Sequence, residues 1–298
     1  MCGIAGLHLK NPAYFPELGR LLTPIVEALT SRGPDSAGVA LYDDSVPAGQ
    51  LRFSLRAASS TYDWAALAAE IANRTGALAS AEPIGNVGLV SCAATEAAVL
   101  DALDVLDPDI VVVGVGSAMT IFKDVGFPKD ICERYGIPSA AGYQAVGHTR
   151  MATESAVTTE HSHPFNPVPD LTLVHNGSFS NHATIRRQLM DDGIRFDTDN
   201  DTEVSARYIG QRLGKGDDLA EAMRRVVKEF DGFFTLLVAT KTEFAVVRDS
   251  FACKPLVVAD HDDYVAVASE YQALADLPGI LDARVFEPMP EDVHSWTR

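Results

Sequence analysis

Cys2-Gly3-Ile4-Ala5-Gly6-Leu7-His8-Leu9 follows the initiator methionine directly, and the reading of this stretch decides the fold. Small and apolar side chains alternate along it, which predicts a buried strand that starts at position two. The thiol of Cys2 is therefore expected to be held in place at the very start of the folded chain. Outward from this strand, Leu18, Leu21, Leu22, Ile25, Val26 and Leu29 recur at i, i+3, i+4 spacing. They predict an amphipathic helix over residues 17–31, kinked by Pro24. After the turn Arg32-Gly33-Pro34-Asp35, residues 37–42 read as a second strand.

Residues 50–140 are Ala-rich, with helical patterns at 64–74 and 96–106 and the strand-like run Ile110-Val111-Val112-Val113. This stretch is expected to be an insertion within one domain spanning 2–298. Beyond Gln144, short apolar strands at 171–174, 233–239, 244–247, 256–259 and 265–268 are interrupted by helices at 202–213 and 219–230. Many antiparallel-type strands with helices in consecutive pairs imply an α+β fold of stacked sheets under helical layers.

The chain carries 24 basic and 41 acidic residues, a formal net charge of −17, which disfavours a phosphate backbone or an anionic lipid surface as partner. No nucleic acid and no membrane partner is expected. Cys2, Cys92, Cys132 and Cys253 form no CxxC pair, so neither a metal site nor a disulfide framework is expected, and a reducing, cytoplasmic setting fits. No basic segment leads into an apolar run at the start, and no apolar run reaches spanning length, so neither export nor anchoring is expected.

A cysteine at position two becomes the first residue once the methionine is removed. Its freed α-amine, with a reference pKa of about 7.7–8.0, then serves as the base for its own thiol, directly or through a water. Taken alone, Cys2 reads as simply as a small buried residue near a chain end.

Ordered motifs along the rest of the chain change that reading. Cys2-Gly3-Ile4-Ala5-Gly6, Arg32-Gly33-Pro34-Asp35-Ser36, Gly147-His148-Thr149-Arg150-Met151-Ala152-Thr153, His175-Asn176-Gly177 and Asp201-Thr202-Glu203 together resemble the class II glutamine amidotransferases. Asp249 with Lys254-Pro255-Leu256, and Ser269-Glu270, resemble two further motifs of that family. The resemblance implies a four-layer αββα sandwich of the N-terminal-nucleophile type, with an inserted α/β segment. It implies Cys2 as nucleophile, and Asn176 with the N–H of Gly177 as the oxyanion hole. Arg150 and Asp201 would bind the α-carboxylate and α-ammonium of glutamine, and Thr153 would line the pocket. Other accounts stand beside these roles: an Asn-Gly turn ending the strand at 171–175, a surface ion pair for Arg150, an N-cap for Asp201, and a turn for Thr153. Arg32 suits either the Gly33-Pro34 turn or substrate. Glu154 stands where some members have histidine, so pocket closure is not carried over at that position.

The family pairs glutamine hydrolysis with a synthase that captures ammonia. The chain ends soon after the last motif, so that acceptor chemistry is expected on a second polypeptide. Phe122-Lys123-Asp124-Val125-Gly126-Phe127-Pro128 and the long insertion resemble stand-alone subunits related to glutamate synthase, such as the amidotransferase subunit of N-methylglutamate synthase. This implies no cofactor on this chain, and FMN with an iron–sulfur cluster on a glutamate-synthase-like partner. A subunit making glutamate from 2-oxoglutarate is the nearest alternative. From other classes come a partner-independent N-terminal-cysteine amide hydrolase and a regulatory subunit that binds glutamine or glutamate without turnover. His161 and His163 have an H-x-H spacing, but no acid or thiol cluster joins them, and Gly114-Val115-Gly116 suits a tight hairpin better than a dinucleotide loop.

Overall fold

The computed structural model describes residues 2–151 and 157–298. Strand β1 (Gly3–Leu9) is buried throughout, as its alternation of small and apolar side chains predicts. Helix α1 (Leu18–Ala28) contains Pro24 and turns Leu18, Leu21, Leu22, Ile25 and Val26 inward. After β2 (Ser36–Tyr42) come β3 (Leu51–Arg56), α2 (Trp64–Thr75), β4 (Ala79–Ile84), β5 (Val87–Cys92), α3 (Glu96–Leu106) and β6 (Val111–Gly116). Strand β7 (Met119–Val125) and helix α4 (Pro128–Arg134) lead to β8 (Gln144–Arg150) and β9 (Thr172–Phe179). Helices α5 (His182–Asp191), α6 (Asp201–Gly214) and α7 (Leu219–Glu229) precede β10 (Gly232–Ala239) and β11 (Glu243–Arg248). The remaining strands are β12 (Val257–Asp260), β13 (Tyr264–Ala268), β14 (Arg284–Phe286) and β15 (His294–Thr297).

Two antiparallel sheets form the centre, in the orders β14-β12-β13-β1-β8-β2-β7 and β15-β11-β10-β9. Their inner faces meet through Ile4, Val146, Val174, Leu237, Phe244 and Val267. Helix α1 covers the outer face of the first sheet, against Leu7, Val39 and Ala145. Helices α5, α6 and α7 cover the outer face of the second, through Ile185, Ile209 and Val226 against Leu173 and Leu236. The result is the α+β, four-layer αββα sandwich expected from the motifs. Tyr42 ties the sheets together: its buried hydroxyl sits 2.7 Å from Thr172 Oγ1 and donates toward the carbonyls of Ala239 at 3.0 Å and Asp170 at 3.2 Å. Tyr42→Phe leaves those buried acceptors unsatisfied, so chemical denaturation should show a loss of about 1–3 kcal/mol.

The stretch expected as one insertion, about 50–140, divides in two. Residues 51–116 form a separate sheet, β4-β5-β3-β6, with its own core of Phe53, Trp64, Ile71, Val90 and Val99. Strand β7 instead pairs with β2 along Ser36–Tyr42, and α4 packs beside α1 through Ile131 and Cys132. The reason is edge protection: β7 ends the seven-stranded sheet, and an exposed edge is a liability. Side chains from every second residue of β3 cover it. Arg52 reaches Thr120 Oγ1 at 2.9 Å, Ser54 Oγ accepts from Ile121 N at 3.0 Å, and Arg56 meets Asp124 at 3.0 Å. Gly114-Val115-Gly116 is correspondingly not half of a hairpin, since β6 and β7 belong to different sheets. The Asp170 carboxylate takes the N–H of Ala118 and the hydroxyl of Ser117 at the step between them.

Candidate active site

Cys2 stands just ahead of β1, and its Sγ lies 3.7 Å from the carbonyl oxygen of Met151. Its own carbonyl is held from two sides, by Asn176 Nδ2 at 3.0 Å and Arg32 Nε at 3.0 Å. Arg32 is buried and continues through Nη1 to Glu270 at 2.8 Å. The next residue but one is fixed as firmly. Ile4 N donates to Ser269 Oγ at 2.9 Å, and Ser269 N returns a bond to Ile4 O at 2.9 Å. Beside the two roles left open for Arg32, the turn and the substrate, the structure adds a third, positioning the main chain of Cys2.

Asn176 and Gly177 do not form a turn. Strand β9 runs through both, opposite Thr235 and Phe234 of β10. Gly177 has φ 148°, and a methyl group there would stand 1.9 Å from the carbonyl oxygen of Phe233, so only glycine fits. Strand β9 is the edge of its sheet. On the open side the N–H of His175 meets His163 Nδ1 at 3.3 Å, and that of Phe179 meets Asp201 Oδ2 at 2.9 Å. Strand alternation turns the N–H of Gly177 to the same side, between those two, where Gly177 lines a cavity.

That cavity, about 260 Å³, brings Cys2, Arg150, Gly177 and Asp201 together. Arg150 ends β8 and is buried. Burial draws its pKa below the usual guanidinium value, against the opposing influence of Cys2 and Asp35. Asp201 is the first residue of α6, and the N-cap is Asn200, whose side chain accepts from Thr202 N at 2.9 Å. Asp201 is thus released from capping. A carboxylate at a helix start, facing the cavity, is placed to accept from a cation. Thr153 and Glu154 lie outside the described residues. Among the described residues no group of His, Cys, Asp and Glu could hold a metal, and His161 pairs instead with Asp199 at 2.8 Å.

Three histidines beside the cavity had no site role in the sequence reading, although His148 and His175 stand in its motifs and His163 in its H-x-H pair. His148, His163 and His175 are buried, with the rings of His148 and His163 stacked at 4.0 Å between centroids. They are 15 and 12 residues apart in the chain and share no local spacing, so only the topology reveals the cluster.

The chain is 46% identical to the glutamine amidotransferase-like protein GlxB of Rhizobium meliloti, over 99% of this chain and 98% of that protein. The chain belongs to the glutamine amidotransferase family. A model described as a glutamine amidotransferase domain matches residues 148–276 of this amidotransferase. It is also 32% identical to a putative glutamine amidotransferase of Methanothermobacter thermautotrophicus, over 97% of each chain. In fold it resembles the glutamine phosphoribosylpyrophosphate amidotransferase of B. subtilis, with TM-score 0.61 and 20% identity. The alignment covers 99% of this chain and 49% of that one, so the amidotransferase spans about half the length of that structure. The likeness is one of fold.

Proposed function

We propose that the protein hydrolyses the side-chain amide of glutamine through Cys2 and passes the ammonia to a separate synthase subunit. The convergence of Cys2, Gly177, Arg150 and Asp201 on one cavity carries this reading. With Met1 removed, the α-amine of Cys2 takes the thiol proton and Sγ attacks the δ-carbonyl carbon. The N–H of Gly177 and Asn176 receive the developing oxyanion. Asn176 Nδ2 has two hydrogens, and only one is needed for the Cys2 carbonyl. The α-ammonium returns its proton to the departing nitrogen, leaving a glutamyl thioester and ammonia. Water then attacks the thioester, releasing glutamate and restoring the thiol.

Arg150 and Asp201 select a free amino acid by its two α-charges, the first gripping the carboxylate and the second the ammonium. Arg150→Leu should therefore raise KM for glutamine about 10²-fold, while alkylation of Cys2 by iodoacetamide continues. A KM equal to that of the parent would remove the assigned role. Met151, which lines the cavity, and the paired rings of Phe233 and Phe251, 5.1 Å apart, are exposed apolar surface, which supports a docked partner. In our reading that partner is glutamate-synthase-like and carries FMN and an iron–sulfur cluster, and the complex is of the glutamate synthase or N-methylglutamate synthase type. Co-purification tests this: a flavin-containing subunit should accompany the chain, and isolation without one from its native source would overturn it.

A further inference from the structure

Two of the three imidazoles beside the cavity, with the hydroxyl of Thr202, form a closed circuit that starts and ends on His175. Its main-chain N–H donates to His163 Nδ1 at 3.3 Å, His163 Nε2 lies 3.3 Å from Thr202 Oγ1, and Thr202 Oγ1 lies 2.9 Å from His175 Nδ1. A ring nitrogen that accepts an N–H carries no proton, so His163 holds its proton on Nε2 and donates it to Thr202. The hydroxyl of Thr202 then has two acceptors, His175 Nδ1 at 2.9 Å and Asp201 Oδ1 at 3.4 Å, the nearer being His175. His148 completes the arrangement, its Nε2 donating to the carbonyl oxygen of His175 at 3.0 Å while its ring stacks on His163.

Both main-chain groups of His175 on the open edge of β9 are thus satisfied by imidazoles, where a central strand would use a neighbouring strand. The two rings come from different places. His148 projects from β8 in the facing sheet, and His163 from the connection between β8 and β9. The arrangement requires neutral rings, and burial supplies that condition. It lowers His148 to about 3 and holds His163 and His175 below the ordinary histidine value. Two residues further along the same edge is the N–H of Gly177, and between them is Asn176.

We propose that His148 and His163 are positioning residues, clamping the edge of β9 so that Asn176 and the N–H of Gly177 stay aimed at the cavity. The inference rests on reading those two groups as oxyanion donors. Donors of that kind act only when held within about half an ångström of their working positions. On its open edge β9 is held at Leu173 by the paired main chain of Phe165 and at Phe179 by Asp201, and between those points the imidazoles hold His175, two residues from Gly177.

The test compares variants that keep or remove the acceptor and the donor. His163→Phe keeps a ring against His148 but offers no acceptor to His175 N–H, while His163→Asn restores an oxygen close to the place of Nδ1. His148→Phe removes the donor to His175 O, and His148→Gln returns an N–H near Nε2. Each Phe variant should lose about 10²-fold in kcat with glutamine, with KM within about twofold of the parent. Alkylation of Cys2 by iodoacetamide, which develops no oxyanion, should continue at the parent rate. Asn and Gln should recover most of kcat. A Phe variant with parental kcat, or an Asn variant no better than Phe, overturns the clamp. If the Phe variants do not fold, amide exchange in the parent decides. Strong protection of the His175 N–H supports the clamp, and exchange at the rate of an open edge removes it. Absence of Cys2-dependent glutamine hydrolysis in the parent would instead remove the underlying reading, a result separable from parental activity retained in the Phe variants.

Discussion

Cys2→Ala is expected to abolish glutamine hydrolysis, a loss of at least about 10⁴-fold by the scale of other covalent catalysts stripped of their nucleophile. Little of the fold depends on that sulfur, which among the described residues makes a 3.7 Å contact to the Met151 carbonyl. The melting temperature should therefore stay close to that of the parent, and the loss should be read as chemistry. Parental glutaminase activity in Cys2→Ala would end the proposed mechanism. The same logic applies to processing, since retained Met1 turns the α-nitrogen of Cys2 into an amide with no basicity. Protein that keeps its methionine should be as inactive as the variant, with identical folding. A diazo-ketone analogue of glutamine should label the N-terminal peptide. Cys132 is an internal control, because burial pushes its thiol up to about 12, and Cys253 is an exposed one.

Gly177→Ala should have the second largest effect, on activity and stability together. The added methyl would meet the Phe233 carbonyl oxygen at 1.9 Å and the Phe234 Cα at 2.7 Å, both backbone atoms of the paired strand. No rotamer change relieves a clash with backbone, and a φ of 148° is itself poorly tolerated by alanine. Strand β9 must move away from β10, which takes the N–H of residue 177 out of line with the cavity. Urea denaturation should show about 3 kcal/mol or more of lost stability, and kcat should fall by about 10²-fold or more. Gly214→Ala is the matched control. It lies at the end of α6 with nothing within 4 Å of its added methyl, and it should leave both quantities near parental values.

Much of this architecture was legible because the deciding patterns are local. The alternation in β1, the apolar stripe of α1 and the run at residues 96–106 each carry their own periodicity, and α3 has the bounds that the spacing predicts. Asn176-Gly177 was ambiguous for the same local reason. The pair is a strong turn signal, and what overrides it is the register with Thr235 and Phe234 more than fifty residues away. Strand β7 was assigned to the insertion because its neighbours in sequence are there, whereas its hydrogen bonds run to β2. Arg32 could be tied to the nucleophile's motif but not to the Cys2 carbonyl and Glu270, which are 30 and 238 residues distant. Of the site residues that the resemblance implied, Cys2, Arg150, Gly177 and Asp201 line one cavity, and Asn176 binds the Cys2 carbonyl. For residues that hold others in place, such as Arg32 and His148, the motifs were visible along the chain but their partners were not.

The separate sheet of residues 51–116 has an optical consequence. The protein has two tryptophans, and they report on different bodies. Trp64 is 2% exposed in the core of that sheet, packed against Gly88, while Trp296 is half-buried in β15 with Nε1 3.4 Å from Asp260. Trp296→Phe leaves a single emitter inside the separate sheet, and Trp64→Phe leaves one on the central sandwich. Fluorescence from the two variants would follow the melting of each body separately, and would register which of them a docking partner touches.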